Sequence, residues 1–314
     1  MDPITHGVIG LAISSFSGEP VSLLNPVSLG CALGAMSPDI DALVRIFFND
    51  YEYLKHHRGP THSVPAIAVI ATLITFALTF YFPEMSFLKV LLWTIIGGIS
   101  HTVFDIFNSY GAQLFIKKRK ASILTLYDPV ITILALILIF GKNLNTIWYG
   151  IIILKFGLYL TFRVYLKEQA RKSILKEYAN GYKVEKIDVL PSLMAFWKWD
   201  FIITAKSHHI VGKFNQVNKK FVIIERFKKK RPEMVEHFNK TKVGQVFNDF
   251  SPNLHIQHHE DDERIVLFAI DMRYYLRKQF MHHATVVFDK EYNVIESHFH
   301  PYSLNKWVSV PEAA

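Results

Sequence analysis

The sequence predicts an α-helical multi-pass membrane domain followed by a smaller β-rich soluble domain. Half of the 314 residues are hydrophobic, and the mean hydropathy of +0.19 is high for a soluble protein. Long uncharged segments occupy the first half of the chain, whereas most charged residues and a period-two alternation of apolar residues lie in the second. We therefore divide the chain into a membrane domain (1–165), a linker helix (166–180) and a β-rich domain (181–314).

The first two predicted elements are short apolar helices rich in glycine and alanine. Ile4–Phe16 and Val27–Met36 are separated by a Gly-Glu-Pro turn at residues 18–20, which predicts a helical hairpin. The spacing of Gly30 and Gly34 allows close approach of a neighbouring helix. Both segments are shorter than the roughly 20 apolar residues that span a bilayer. We expect the hairpin to be buried in a bundle or half-inserted.

Four longer apolar segments are predicted to cross the membrane. They are Val64–Phe82, Phe87–Phe107, Ile123–Phe140 and Thr146–Phe162. Basic residues cluster at Lys117–Lys120 and from Arg163 onward, and the positive-inside rule assigns both clusters to the cytoplasmic side. The four segments then alternate in direction, and the β-rich domain lies in the cytoplasm.

The β-rich domain is predicted from short segments in which apolar and polar residues alternate. These segments are Phe221–Glu225, Arg264–Ala269, Ala284–Phe288 and Val294–His298. Trp197–Trp199 is interpreted as an edge strand or as an aromatic anchor at the membrane interface. We assign the net charge of +8 to cytoplasmic loops and anionic lipid rather than to nucleic acid. Binding of a protein partner by this domain is a further alternative.

Histidines and aspartates recur near the ends of the predicted membrane helices. They are His6, Asp39, Asp41, His57, His62, His101, Asp105 and Asp128. Ionisable groups in membrane segments are costly, and their presence indicates function. His101 and Asp105 are four residues apart and so share one helical face. On the predicted topology the whole set can lie at one membrane level.

Each of these features also has a purely structural interpretation. Ser37-Pro38-Asp39 is a typical helix start, His6 could be a core histidine, and His101 could hydrogen-bond Asp105 without a metal. Taken together, imidazoles and carboxylates form the ligand chemistry of a zinc site with more than one ion. Arg58 could clamp a phosphate oxygen or serve only as a topogenic charge.

Four motifs occur in a characteristic order. They are Asp2-x-x-Thr5-His6-x-x-x-Gly10, Ser37-Pro38-Asp39-Ile40-Asp41, His57-Arg58-Gly59-Pro60-Thr61-His62-Ser63 and His101-x-x-x-Asp105. Over about residues 1–165 the sequence resembles the YdjM/YfhP-like family of membrane-bound metal-dependent hydrolases. That family is grouped with the zinc-dependent phospholipase C and zinc nuclease superfamily, whose members are helical bundles.

The resemblance implies a phospholipase C-like helical bundle in the bacterial inner membrane with two or three zinc ions. The implied metal ligands are His6, Asp39, His57, His62, His101 and Asp105. Asp41 and Asp128 would be nearby carboxylates that serve as ligands or support them. The superfamily uses further histidine and glutamate ligands that have no counterpart at recognisable positions in this chain.

We therefore expect a membrane-bound hydrolase that cleaves a phosphoester, with membrane lipid as a substrate class, at the cytoplasmic membrane face. A metal-activated water would attack phosphorus, one of Asp39, Asp41 or Asp105 would orient that water, and Arg58 would contact the phosphate. The alternative is a membrane-tethered regulatory protein whose metal stabilises an anchor. A metal-ion transporter is disfavoured because the predicted ligands gather at one interface rather than at the bilayer midplane.

Two further features concern histidine and cysteine. The segments His255–Asp262 and His298–His300 are interpreted as a second metal site or as polar surface loops. A single cysteine, Cys31, excludes an intramolecular disulfide.

Overall fold

The computed structural model describes residues 2–41, 60–109, 111–113, 118–141, 144–179, 181–193, 195–229 and 233–311. The described residues form two compact units. The first contains residues up to 168 together with 191–196, and the second contains residues 169–190 and those from 197 onward.

The first unit is helical. Its helices are α1 (Pro3–Ile13), α2 (Pro26–Met36), α3 (Val64–Tyr81), α4 (Phe87–Phe107), α5 (Pro129–Phe140) and α6 (Thr146–Tyr178), of which α6 continues into the second unit. Four of them begin with a side chain that accepts backbone N–H groups and a proline in the first turn. These capping residues are Asp2, Asn25, Ser63 and Asp128.

Helix α2 lies at the centre of this unit and packs against α1, α3 and α4. A Cβ atom at Gly34 would collide with the Thr94 carbonyl, and one at Gly97 would collide with the Cys31 carbonyl. The backbones of α2 and α4 therefore touch where both helices lack side chains. The hairpin was expected to be either buried in the bundle or half-inserted. Its second helix, α2, is buried in the bundle.

Helices α3, α4 and α6 are long and apolar enough to cross a membrane. Large apolar side chains on these helices are exposed, among them Phe76 (61%), Leu88 (73%) and Ile153 (59%). An apolar surface of this kind fits a lipid environment. The predicted linker helix is the last part of α6, which continues without a break to Tyr178.

The third predicted membrane segment, Ile123–Phe140, is wrong as a continuous helix. Helix α5 begins only at Pro129 and has 12 residues, a length of about 18 Å against a hydrocarbon core of about 30 Å. Asp128 caps the helix at that point, and the preceding segment has no regular secondary structure. Ile123 and Leu124 are buried there and donate their backbone N–H groups to the Phe107 carbonyl.

Among the described residues, the second unit contains two larger antiparallel β-sheets and a two-stranded hairpin that pairs Tyr275–Leu276 with Gln279–Phe280. The first sheet has the order β1 (Val184–Pro191), β2 (Lys198–Ala205), β3 (His208–Asn215), β4 (Lys220–Lys228). The second has β5 (Leu254–Glu260), β6 (Ile265–Asp271), β7 (His282–Phe288), β8 (Val294–Pro301) and β9 (Val308–Ser309) side by side in that order. A helical first part followed by a β-sheet domain is the predicted fold class, which is confirmed.

A hydrophobic cluster contains residues of both sheets, and two short helices cover the other face of the second. The cluster consists of Leu190, Ile202, Val211, Phe227, Ile270, Met272 and Phe280. Helices α7 (Glu233–Lys240) and α8 (Lys242–Phe250) follow β4. Phe247 of α8 lies 5.9 Å from Phe299 of β8, measured between ring centroids. This covered face explains the apolar residues that alternate along β6, β7 and β8.

Three of the four predicted strands lie within β4, β7 and β8, and the fourth, Arg264–Ala269, starts one residue before β6. The edge-strand interpretation of Trp197–Trp199 is wrong, because β2 lies between β1 and β3. Trp199 is fully buried. The sequence pattern did not reveal this, because the consecutive residues Trp199–Ile203 of β2 are all buried and therefore show no alternation.

Candidate metal centre

Helix α4 supplies two side chains from one face of its last turns. His101 and Asp105 are both fully buried, and His101 Nε2 lies 3.6 Å from Asp105 Oδ2. His101 Nδ1 is 2.7 Å from the Ala35 carbonyl oxygen. A carbonyl only accepts, so Nδ1 carries the proton and the Nε2 lone pair points toward the other polar residues. The ring is thus fixed in the tautomer that can bind a metal through Nε2.

Two short 3-10 turns supply the next pair. Asp39 lies in the turn Ser37–Asp41 after α2, and His62 lies in the turn Pro60–His62 before α3. His101 Nε2 is 3.2 Å from His62 Nε2 and 3.5 Å from Asp39 Oδ1. The Thr102 hydroxyl donates to the His62 carbonyl at 3.4 Å and so ties the second turn to α4.

Helix α1 supplies the fifth side chain, His6. Its Nε2 lies 3.3 Å from Asp105 Oδ1, and its ring stacks on His101 with 3.7 Å between centroids. Asp2 caps this helix by accepting the N–H groups of Ile4 and Thr5. The cap sets where α1 begins, and it places His6 in the first full turn facing α4.

The five residues fit a divalent transition metal. One donor atom from each of Asp39, His62, His101 and Asp105 lies within 4.8 Å of the others. Asp105 is fully buried and the Asp39 side chain is only 9% exposed. Two carboxylates this close and this deeply buried repel each other unless a cation or a proton lies between them. Nitrogen and oxygen donors in this proportion suit Zn²⁺.

Of the predicted site residues whose side chains are described, Asp128 is not part of this cluster. Asp128 caps α5 and accepts a hydrogen bond from the Tyr159 hydroxyl at 2.7 Å, so its position is explained by helix capping. His57 and Arg58 lie outside the described residues, as does the side chain of Asp41. Their predicted roles stay predictions.

Two groups that contact the residues of the cluster were not predicted from the sequence. Asn108 is buried and its amide donates to Asp105 Oδ1 at 2.6 Å. Its spacing of three residues from Asp105 was a usable signal, because residues at this spacing are neighbours on a helix. The Ala35 carbonyl, which orients His101, gives no signal in a sequence, since every residue has a carbonyl.

The histidines that the sequence singled out in the second unit lie on β5 and β8 of its second sheet. His255 and His258 are three apart on β5 and therefore point to opposite faces, so the two cannot act as one ligand set. His298 Nε2 lies 3.2 Å from Glu296, and the Thr285 hydroxyl lies 2.9 Å from His300 Nε2. These two side chains have partners on their own sheet.

Two family models match separate parts of the chain. A family model described as the YdjM inner membrane protein matches residues 1–170. A model described as the YfhP C-terminal alpha/beta plait domain matches residues 233–308. The chain is 31% identical over 227 residues to a Bacillus subtilis (strain 168) protein described as "Uncharacterized protein YfhP", covering 68% of each chain. No solved structure matches.

Proposed function

The chain belongs to the YdjM inner membrane protein family, and on that premise we propose that its first unit is a metal-dependent hydrolase that cleaves a phosphoester. The observation that carries the proposal is the meeting of His6, Asp39, His62, His101 and Asp105. Five such groups from four separate segments would be costly to bury in a membrane protein without a function. The assignment to the zinc-dependent phospholipase C superfamily is part of the proposal.

We assign metal binding or proton transfer to each residue of the cluster according to the exposure of its side chain. His62, His101 and Asp105 are fully buried, which suits them to hold the ion. The side chain of Asp39 is 9% exposed and is the most accessible of the five, so it would accept a proton from the attacking water. Bound zinc, two or three ions by the resemblance, would supply Lewis acidity toward water and a phosphoryl oxygen. Asp41 and Arg58 remain candidates for orienting water and phosphate.

An apolar cavity next to the cluster supports a lipid substrate. It has a volume of about 180 Å³ and is lined by residues of α1, α4, α5 and α6. Ile9 lines it one turn after His6, and Phe104 lines it immediately before Asp105. A lipid whose acyl chain entered this cavity would place its headgroup beside the metal ligands.

We also propose the orientation in the membrane. The second unit would lie in the cytoplasm of a bacterial cell, together with the cytoplasmic end of α4 that carries His101 and Asp105. This orientation rests on the basic residues at Lys117–Lys120 and in the last part of α6.

The direct test measures metal and hydrolysis on the full-length protein purified in detergent. Zinc is quantified by mass spectrometry, and hydrolysis is followed on a panel of phospholipids and on a water-soluble phosphodiester. His101→Ala and Asp105→Asn should lose zinc and at least about a hundredfold in rate. Ser100→Ala is the matched control and should retain both, because the Ser100 hydroxyl donates to the Gly97 carbonyl of its own helix. Absence of metal, or unchanged hydrolysis in both variants, would contradict the proposal.

A second candidate function is a membrane-tethered regulatory protein that binds a partner through its second unit. It is favoured by the separate family match of residues 233–308. Deletion of the gene and complementation with His101→Ala would separate the two functions. Full complementation by a protein that has lost its metal would favour the regulatory function.

A further inference from the structure

Two histidines from different sheets of the second unit face each other at close range. His209 on β3 and His255 on β5 have their Nδ1 atoms 3.2 Å apart. His255 is 4% exposed, and the Phe227 ring stacks on it with 4.5 Å between centroids. Because each imidazole belongs to a strand held in its own sheet, the packing of the two sheets fixes this distance.

Both imidazoles are in the form that binds metals. Burial lowers the pKa of His209 to about 3, with smaller contributions from His255 and Lys229. Burial also lowers the pKa of His255 to about 4, again with Lys229 contributing. At neutral pH both rings are therefore uncharged, and each can present a lone pair to a cation.

A cavity of about 480 Å³ borders His255. It is lined by His255 and its neighbours on β5 and by Glu225–Lys228 on β4. These are the outer strands of the two sheets, so the cavity lies between two sheet edges.

The rim of the cavity also carries a carboxylate on the correct face. Glu225 pairs with Val211, and Phe227 pairs with His209. Paired residues share a face and so do residues two apart on a strand, so Glu225 lies on the same face as His209.

We propose that His209, His255 and Glu225 form a second site for a divalent transition metal, with Zn²⁺ as the physiological ion. Two imidazole nitrogens bound to one tetrahedral Zn²⁺ at about 2.0–2.1 Å stand about 3.3 Å apart, and the observed separation is 3.2 Å. The remaining coordination position opens into the cavity. Lys229 weakens the site by its charge, although Glu185 lies 3.6 Å from its ammonium group. The proposal is independent of the hydrolase site.

The experiment titrates metal-depleted, full-length protein in detergent with Zn²⁺ and with Co²⁺. Equivalents bound are counted by equilibrium dialysis, and the Co²⁺ absorption spectrum reports the ligand geometry. His209→Gln and His255→Gln are each expected to remove one equivalent. His259→Gln is the matched control, because this exposed histidine lies on the same strand as His255. His101→Ala should leave this equivalent in place, whatever it does to metal in the first unit.

Glu225→Gln provides a variant that folding cannot confound, because Glu225 is exposed. It should weaken zinc binding at this site by about tenfold or more. Wild-type stoichiometry in His209→Gln and His255→Gln would overturn the proposal and leave a hydrogen bond between two core histidines. If those variants do not fold, unchanged zinc affinity in Glu225→Gln would overturn the three-residue site.

Discussion

At the scale of single residues, Asn108 shows how a residue that does not bind metal can control one that does. Its amide donates to Asp105 Oδ1 at 2.6 Å, and Asp105 Oδ2 is the oxygen nearer to His62 and His101. The amide therefore decides which carboxylate oxygen remains for the ion. Supporting hydrogen bonds of this kind contribute strongly to metal affinity.

We predict that Asn108→Ala lowers zinc affinity by about 10- to 100-fold. Loss of the amide frees Asp105 to rotate, so the carboxylate is no longer held toward the histidines. Competition with a chromophoric chelator measures the affinity. Asn218→Ala, in an exposed turn of the second unit, is the control. Equal affinities in the two variants would show that Asn108 does not position Asp105.

Asp200 on β2 is a second residue whose surroundings decide its behaviour. It is 7% exposed, and burial raises its pKa to about 7, although the nearby Lys213 opposes the shift. In the unfolded chain the same carboxyl has a pKa of about 3.9. The folded state therefore disfavours the charged form.

We predict that this residue makes the protein less stable as pH rises from about 4 to about 7. The cost is absent below the unfolded pKa, where the carboxyl is protonated in both states, and reaches about 4 kcal/mol above the folded pKa. Asp200→Asn should flatten the melting temperature between pH 4.5 and 8, measured by differential scanning fluorimetry. The exposed Asp262→Asn is the control and should follow the wild type. A parallel pH profile in Asp200→Asn would contradict the assignment.

At the scale of secondary-structure elements, the contact between α2 and α4 positions the metal centre. Gly97 lies one turn before His101 and directly against the Cys31 carbonyl, and the Ala35 carbonyl one turn later on α2 accepts from His101. The close approach of the two backbones therefore sets the orientation of a ligand.

We predict that Gly97→Ala destabilises the protein by about 1–3 kcal/mol and weakens zinc retention. The added methyl group meets a backbone carbonyl, which cannot move without separating α2 from α4. Thermal unfolding in detergent and zinc content measure the two effects. Gly157→Ala on α6 is the matched control, because a Cβ there meets nothing within 4 Å. The control should be neutral or slightly stabilising, since alanine favours a helix. Equal melting temperatures for the two variants would exclude the close-packing explanation.

The start of helix α5 is also determined by contacts with another element, helix α6. Asp128 and Pro129 start this helix late, and the Tyr159 hydroxyl of α6 holds Asp128 in place. Ile123 and Leu124, in the irregular segment before it, are buried. Arg163 Nε donates to the Ile123 carbonyl at 2.7 Å. Arg163 is fully buried, although its charge had suggested a cytoplasmic loop.

At the scale of the whole molecule, three helices within the described part of the chain are long enough to cross the membrane, and the apolar helix α5 is too short to do so alone. The loop that joins α3 to α4 is predicted to lie on one side of the membrane, and the second unit on the other. This arrangement follows from the basic residues rather than from helix lengths.

We predict that Glu84→Cys reacts with a membrane-impermeant maleimide added to intact spheroplasts, whereas Glu263→Cys reacts only after permeabilisation. Both positions are exposed. The native Cys31 is fully buried on α2, so it should contribute little background. Labelling of Glu263→Cys in intact spheroplasts would reverse the proposed orientation.

The sequence by itself determined the fold class, the bounds of α3 and α4, the start of α6, four strands and the five imidazole and carboxylate residues that meet in the first unit. Apolar runs and period-two alternation reflect which residues of a single helix or strand are buried. Both can therefore be recognised from the residue types of that element alone. The tertiary structure alone decided what depends on contacts between distant segments. The tautomer of His101 depends on the Ala35 carbonyl, α5 is short because Asp128 caps it, and His209 meets His255 because two sheets pack together. Such contacts leave no periodic signal, because the partners are tens of residues apart and on different elements.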